Sequence, residues 1–213
     1  ITMRESGILM HITSLPGPYG IGSMGKCAYD FVDFLESAGQ RYWQILPLCP
    51  TGYGDSPYQS FSTFAGNHYL IDLDLLVEDK LLLPEELKGI QWSHEEGRVD
   101  FGLLYNNRNA LLRKAFYRFI PNREFSEFIK DNADWLEDYA LFMALKEKFG
   151  GTDWQKWTLI LMMRLPEVLG AYRQELAEGI RFQRFLQYQF RRQWKALRRY
   201  ANDKGIRIIG DVP

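Results

Sequence analysis

Between Gly7 and Leu48 the sequence changes period twice, and that alternation limits the fold more than any other feature of the chain. Gly7 to Thr13 (GILMHIT) is an apolar run of strand length. Lys26 to Ala38 then sets Ala28, Phe31, Val32, Leu35 and Ala38 at the spacing of one helix face. Gly39 comes next, where a left-handed glycine commonly closes a helix. Tyr42 to Leu48 returns to an apolar strand. Strand, helix and strand on such connections make a βαβ unit, which requires parallel strands and a right-handed crossover.

Beyond it lies a loop crowded with glycine, serine and aromatics, Pro50 to Phe64. His68 to Leu73 reads as a short strand, Leu75 to Leu83 as a short helix, and Glu85 to Asp100 as loop. Three helical patterns come after it: one marked by Leu112, Ala115, Phe116 and Phe119, one from Trp135 to Leu145 closed by Gly150 and Gly151, and one from Glu178 to Ala201. The many Arg and Lys of the last read as a solvated face rather than a nucleic-acid site. Ile206 to Gly210 is a third strand. Three parallel strands with a helical excursion between the second and third match the opening of a (β/α)8 TIM-type barrel, an α/β fold of about 250 residues. The expected division is residues 1–73 as the first βαβ unit with its loop, 74–177 as a mainly helical insertion, and 178–213 as a barrel helix and third strand. Only three barrel strands are present, and alone they would leave an unpaired edge. The chain therefore reads as the front part of a larger enzyme, its barrel truncated after residue 213.

Composition narrows the function by exclusion. Basic and acidic residues balance at 26 and 27, which gives no footprint for nucleic acid or an anionic membrane. Cys27 and Cys49 are the only cysteines. Without a secretory leader they point to a reducing compartment, and a cytoplasmic location is expected. No apolar run approaches the ~20 residues of a membrane helix. His11, His68 and His94 share no ligand spacing, so neither a metal nor a cofactor is expected.

Gly20 to Gly25 (GIGSMG) spells a dinucleotide-binding fingerprint, G-x-G-x-x-G. Six residues, Ser14 to Tyr19, separate it from the preceding strand, and the second strand ends in Leu48-Cys49-Pro50 instead of an acidic ribose ligand. The glycines read as a tight turn.

Reactive groups in barrels gather at the C-terminal ends of the strands. Three segments qualify: His11 to Pro16, Pro50 to Phe64 and Gly210 to Pro213. The middle one carries Tyr53, Asp55, Ser56, Tyr58 and Gln59. Tyrosine faces pack on the C–H face of a pyranose while hydroxyls and carboxylates bind its rim, the mixture of a small-ligand pocket. An ordered Ser/Gly loop with Asp55 capping a turn accounts for the same residues. The residues alone leave both readings open.

Four strings carry a resemblance: TSLPGPYGIG (from Thr13), YWQILPLCPTGYGDSPYQSFSTFAGN (from Tyr42), YLIDL (from Tyr69) and KGIRIIGDVP (from Lys204). Together, and in this order, they resemble the 4-α-glucanotransferases, the amylomaltase or disproportionating-enzyme family of the α-amylase clan. The resemblance runs from about Gly7 to Pro213. It implies transfer of α-1,4-glucan segments between maltooligosaccharides by a retaining double displacement, with a glucan hydroxyl replacing water as acceptor. It places the nucleophilic Asp, the acid/base Glu and a further Asp beyond the third barrel strand, so it assigns no catalytic residue to this chain and leaves the chain alone inactive. By the same resemblance Tyr58 stacks on the donor sugar at the cleavage point, Ser56 is a polar neighbour, and Asp211 hydrogen-bonds that sugar. A carboxylate buried at a strand end for structural reasons is the alternative for Asp211. Tyr53 and Tyr105 match aromatics of a second glucan site outside the cleft. The implied partners are α-1,4-glucans and maltooligosaccharides, with no nucleic acid and no membrane; oligomeric state is open. Two other readings use the same residues: a glucan-binding module without catalysis, and an intact small enzyme with Asp55 or Asp211 as its nucleophile. One stretch departs from the pattern. Thr158 to Met163 (TLILMM) is apolar where a polar connection is expected, which fits a partner surface, a buried insertion or a sequence error.

Overall fold

Three short strands carry the sheet: β1 (Gly7–Leu9), β2 (Tyr42–Gln44) and β3 (Arg207–Ile209), parallel and adjacent in that order. The computed structural model describes residues 4–52, 54–95 and 97–212. Register places Leu9, Gln44 and Ile209 in one row across the sheet. Gly7 stands opposite Tyr42, where an added Cβ would lie 2.5 Å from both the Tyr42 Cβ and its carbonyl oxygen. No side chain fits there. The strands are shorter than the apolar runs that announce them. Pairing continues one residue further through Met10 N–H to Gln44 O and Ile45 N–H to Ile209 O, after which the first run turns into a 3-10 helix at Ile12–Ser14.

Contacts divide the chain into two compact units, Ile1–Phe119 with Gln189–Pro213, and Ile120–Tyr188. In the first, α1 (Lys26–Ser37) buries Ala28, Val32 and Leu35, and Phe31 meets Trp43 edge-on at 5.1 Å. Trp43 is fully buried and donates its indole N–H to the Met10 carbonyl at 2.7 Å. The expected strand at His68 to Leu73 is absent. Asn67 caps a 3-10 helix at His68–Leu70 by accepting from Tyr69 N–H, and Asp72 caps α2 (Leu73–Glu78) by accepting from Leu75 N–H. Two good N-cap residues five positions apart outcompete β pairing for this short segment. Asp100 likewise starts α3 (Phe101–Arg118) well before the apolar pattern makes it visible.

Asp72 is the hub of this unit. Its carboxylate also accepts from the Ser23 hydroxyl at 2.6 Å, and its backbone N–H and C=O are both bound by the buried amide of Gln193, 121 residues away. The carboxylate lies over Gly25, the residue that begins α1, where a Cβ would sit 2.0 Å from Oδ2. An acidic group therefore fills the helix start that the glycine fingerprint would have offered to a phosphate. Beside it the fully buried Arg108 donates to the Ile71 carbonyl.

The second unit contains α4 (Arg123–Asp131), α5 (Ala133–Lys148), α6 (Leu159–Met162), α7 (Pro166–Glu175) and the first part of α8 (Ala177–Asp203). Its core joins Ala140, Leu141, Ala144 and Leu145 to Leu161, Leu169 and Ile180. Trp157 packs between Phe142 and Phe149 at ring distances of 5.6 and 5.5 Å. Of the TLILMM run, Leu161 enters this core while Leu159, Ile160 and Met163 remain exposed. α8 spans 27 residues, about 40 Å at 1.5 Å per residue, and ends in the first unit.

Candidate functional site

The loop after β2 is closed at its base and pinned at its tip. An antiparallel bridge pairs Thr51 with Ser60, and Gly52 N–H donates to Gln59 O at 3.0 Å. Inside that frame Asp55 N–H donates to Gly52 O and Gln59 N–H to Ser56 O. The Ser56 hydroxyl accepts from Tyr58 N–H at 3.3 Å. Below the frame, Ser62 Oγ accepts from the backbone N–H groups of Phe64 and Ala65, and Asn67 N–H returns to Leu48 O at 2.7 Å. Serine-rich sequence thus becomes a self-braced loop.

Tyr58 projects from this loop with its side chain about half exposed, at 52%. Its hydroxyl donates to Asp211 Oδ2 at 2.6 Å, joining residues 153 apart in sequence. Asp211 stands two residues past β3, and its other oxygen accepts from Val212 N–H at 2.8 Å. Both interactions favour the ionised carboxylate and hold Asp211 below the usual carboxylate range, the Tyr58 hydroxyl contributing most. The same bond holds the Tyr58 phenol up. Asp211 is exposed. The parallel sheet explains the meeting: the C-terminal ends of β2 and β3 lie side by side, so the loops leaving them emerge at the same edge.

Ser56 braces the loop and keeps its hydroxyl hydrogen as a donor. Tyr105 lies on α3 and is 60% exposed. Tyr53 lies outside the described residues. Ser56, and not Asp55, caps the turn, and no hydrogen bond to the Asp55 carboxylate is found among the described residues. Among those residues no three His, Cys, Asp or Glu side chains gather as a metal site. Burial keeps His11 low, and burial followed by the nearby Arg108 charge lowers His68 to about 4, so both imidazoles are neutral at pH 7. His94 pairs with Asp100 at the surface. No helix among the described residues is long and apolar enough to cross a membrane.

A model of 4-alpha-glucanotransferases matches residues 10–213. The chain belongs to the 4-alpha-glucanotransferase family. It is 50% identical over 206 residues to the 4-alpha-glucanotransferase of Clostridium butyricum, covering 96% of this chain and 42% of that relative. With the 4-alpha-glucanotransferase of Thermus thermophilus it shares 51% identity over 216 residues, covering 99% of this chain and again 42% of the relative's length. The chain thus spans less than half of the family members it matches. An amylomaltase from Streptococcus agalactiae, solved in complex with acarbose, has a TM-score of 0.95 at 46% identity over 99% of this chain and 43% of that one. By that likeness the three parallel strands and their helices are part of a (β/α)8 barrel.

The polar hub around Asp72, Gln193 and Arg108 is not visible in the sequence. Its local signal is present only in part: Asp72 precedes an apolar helical run, as a cap does. Nothing in the sequence pairs it with a glutamine 121 residues later.

Proposed function

We propose that this chain carries part of the donor-sugar pocket of a 4-α-glucanotransferase acting on α-1,4-glucans and maltooligosaccharides by a retaining double displacement. The observation that carries the reading is the Tyr58–Asp211 hydrogen bond. It sets an exposed aromatic face and an ionised carboxylate together at the C-terminal edge of parallel strands, in a chain of this family. A tyrosine face takes the apolar side of a glucose ring, and the carboxylate takes its hydroxyls. Ser56 supplies a further donor from the same loop, and Tyr53 and Tyr105 a second glucan contact. The acarbose bound by the Streptococcus agalactiae amylomaltase supports a maltooligosaccharide-type ligand.

In this mechanism a carboxylate nucleophile forms a covalent glycosyl-enzyme while a carboxylic acid protonates the departing sugar, and a second glucan then takes the glycosyl group. Those carboxylates belong to barrel strands that this chain does not supply, so its own residues bind and orient the donor. No cofactor, nucleic acid or membrane enters the reaction, and we place it in the cytoplasm. The test is maltotriose disproportionation by the 213-residue chain beside a version extended with the matching remainder of the Clostridium butyricum relative. Glucose and longer maltooligosaccharides are expected only from the extended chain, and Tyr58→Ala or Asp211→Ala there is expected to reduce turnover at least about tenfold, as for a lost charge-assisted or stacking contact. Turnover by the 213-residue chain alone would refute the assignment of the catalytic carboxylates.

A further inference from the structure

Gly66 ends the return limb of the loop after β2, buried against α8. A Cβ added there would lie 2.2 to 2.4 Å from three ring carbons of Phe190. Gly66 is not one of the chain's left-handed glycines, so close approach, and not backbone freedom, requires a glycine here. Phe190 is itself buried on α8, and Gln193, one turn further along, holds the backbone of Asp72. α8 thus grips the chain beyond the loop at Gly66 and again at Asp72.

The same helix leads to the other half of the site. Residues 204–206 join α8 to β3, and the join is closed by Gly205 N–H to Asn202 O and Ile206 N–H to Ala201 O. Ala201 and Ile206 are fully buried, and Asp211 follows β3 by two residues. On the loop side, contacts run back from Gly66 toward Tyr58. Ser62 Oγ accepts from Phe64 and Ala65 N–H, Ser60 Oγ donates to Ser62 O, and Thr51 pairs with Ser60. Gln59 N–H to Ser56 O then closes the turn that holds Tyr58. One helix therefore supports both limbs that meet in the Tyr58–Asp211 bond.

We propose that Phe190, seated on Gly66, is a positioning residue that sets the reach of the Tyr58 loop to Asp211. The inference rests on the donor-sugar reading only in making that pair a glucan contact. A hydrogen bond weakens steeply with distance, and misplacement by about 1 Å in a site can cost roughly a hundredfold in rate.

The test follows the Asp211 carboxyl by carbon NMR in the 213-residue chain, with melting temperatures alongside. The Tyr58 hydroxyl is what chiefly holds that carboxyl low. Gly66→Ala pushes a methyl into the ring, Phe190→Val removes the ring, and the double variant fits the methyl into the vacated space. Leu169→Ala, in the core of the helical unit, is the control for stability loss alone. Asp211 is expected to titrate at higher pH in Gly66→Ala and in Phe190→Val, and near the parent value in the double variant and in Leu169→Ala. Phe190→Val is read by itself if Gly66→Ala does not fold. An unmoved titration in folded Phe190→Val, or an equal rise in Leu169→Ala, would overturn the proposal. The chain extended with the Clostridium butyricum remainder separates it from the sugar reading. There, maltotriose turnover is expected to fall at least about tenfold in Gly66→Ala and to return in the double variant. A moved titration with undiminished turnover would leave the positioning role standing and overturn the glucan role of the pair.

Discussion

At the scale of the residue, Tyr58 and Asp211 hold each other in the arrangement we propose for meeting a glucan. Their 2.6 Å bond is made between exposed groups, so its value lies in orientation more than in stability. It nevertheless has a definite pH signature. The folded carboxylate is depressed, chiefly by the Tyr58 hydroxyl, so the tie is fully present above the ordinary carboxylate range and is lost as pH falls through the lowered folded value. Tyr58→Phe removes the donor and keeps the ring. The Asp211 carboxyl, followed by carbon NMR, is expected to titrate at higher pH in that variant; an unchanged titration would show that Val212 N–H alone sets it. The pairing is legible in the sequence only through the strings GYGDSPYQS and GDVP, because no local pattern links residues this far apart. The setting of the Asp55 carboxylate is not legible at all: a Gly-Asp-Ser turn reads equally well with Asp or Ser as its cap, and Ser56 takes the role.

At the scale of the element, the sequence is readable where apolar periodicity decides the structure and misleading where capping does. α1 and α8 keep to their predicted stripes, since Val32, Leu35, Phe185 and Leu197 all reach the core. Asn67 and Asp72 convert an expected strand into two short helices. α4 sets Phe125, Phe128 and Ile129 at helical spacing behind its Asn122 cap, a pattern legible in the sequence but too short to stand out beside the longer stripes. The Asp72 hub and the sheet each make a stability prediction. Gln193→Ala leaves the buried N–H and C=O of Asp72 without partners and is expected to cost about 2–4 kcal/mol in urea unfolding; a loss within error would mean that water replaces the amide. Gly7→Ala drives a Cβ into the Tyr42 backbone and is expected to cost about 1–3 kcal/mol by the same measurement. An unaffected midpoint there would argue against the β1–β2 register.

At the scale of the whole molecule, the parallel sheet has β1 and β3 at its two edges, with Leu9 and Ile209 exposed in line with Gln44. In a closed barrel such inward positions are covered by layers of side chains. The chain matches 42% of the length of relatives at 50 and 51% identity, and the open sheet is the structural counterpart of that share. Overall class is legible early, because one βαβ unit already fixes parallel strands. The same topology gathers the groups proposed to touch a glucan, since loops after adjacent parallel strands leave at one edge. That edge, formed among the described residues by 51–52, 54–64 and 210–212, is where we place glucan binding. Amide chemical-shift mapping of the labelled chain titrated with maltoheptaose reads it residue by residue. We predict saturable shifts concentrated in those two segments and abolished by Tyr58→Ala. Shifts confined to the helical unit Ile120–Tyr188, or none at millimolar sugar, would contradict it.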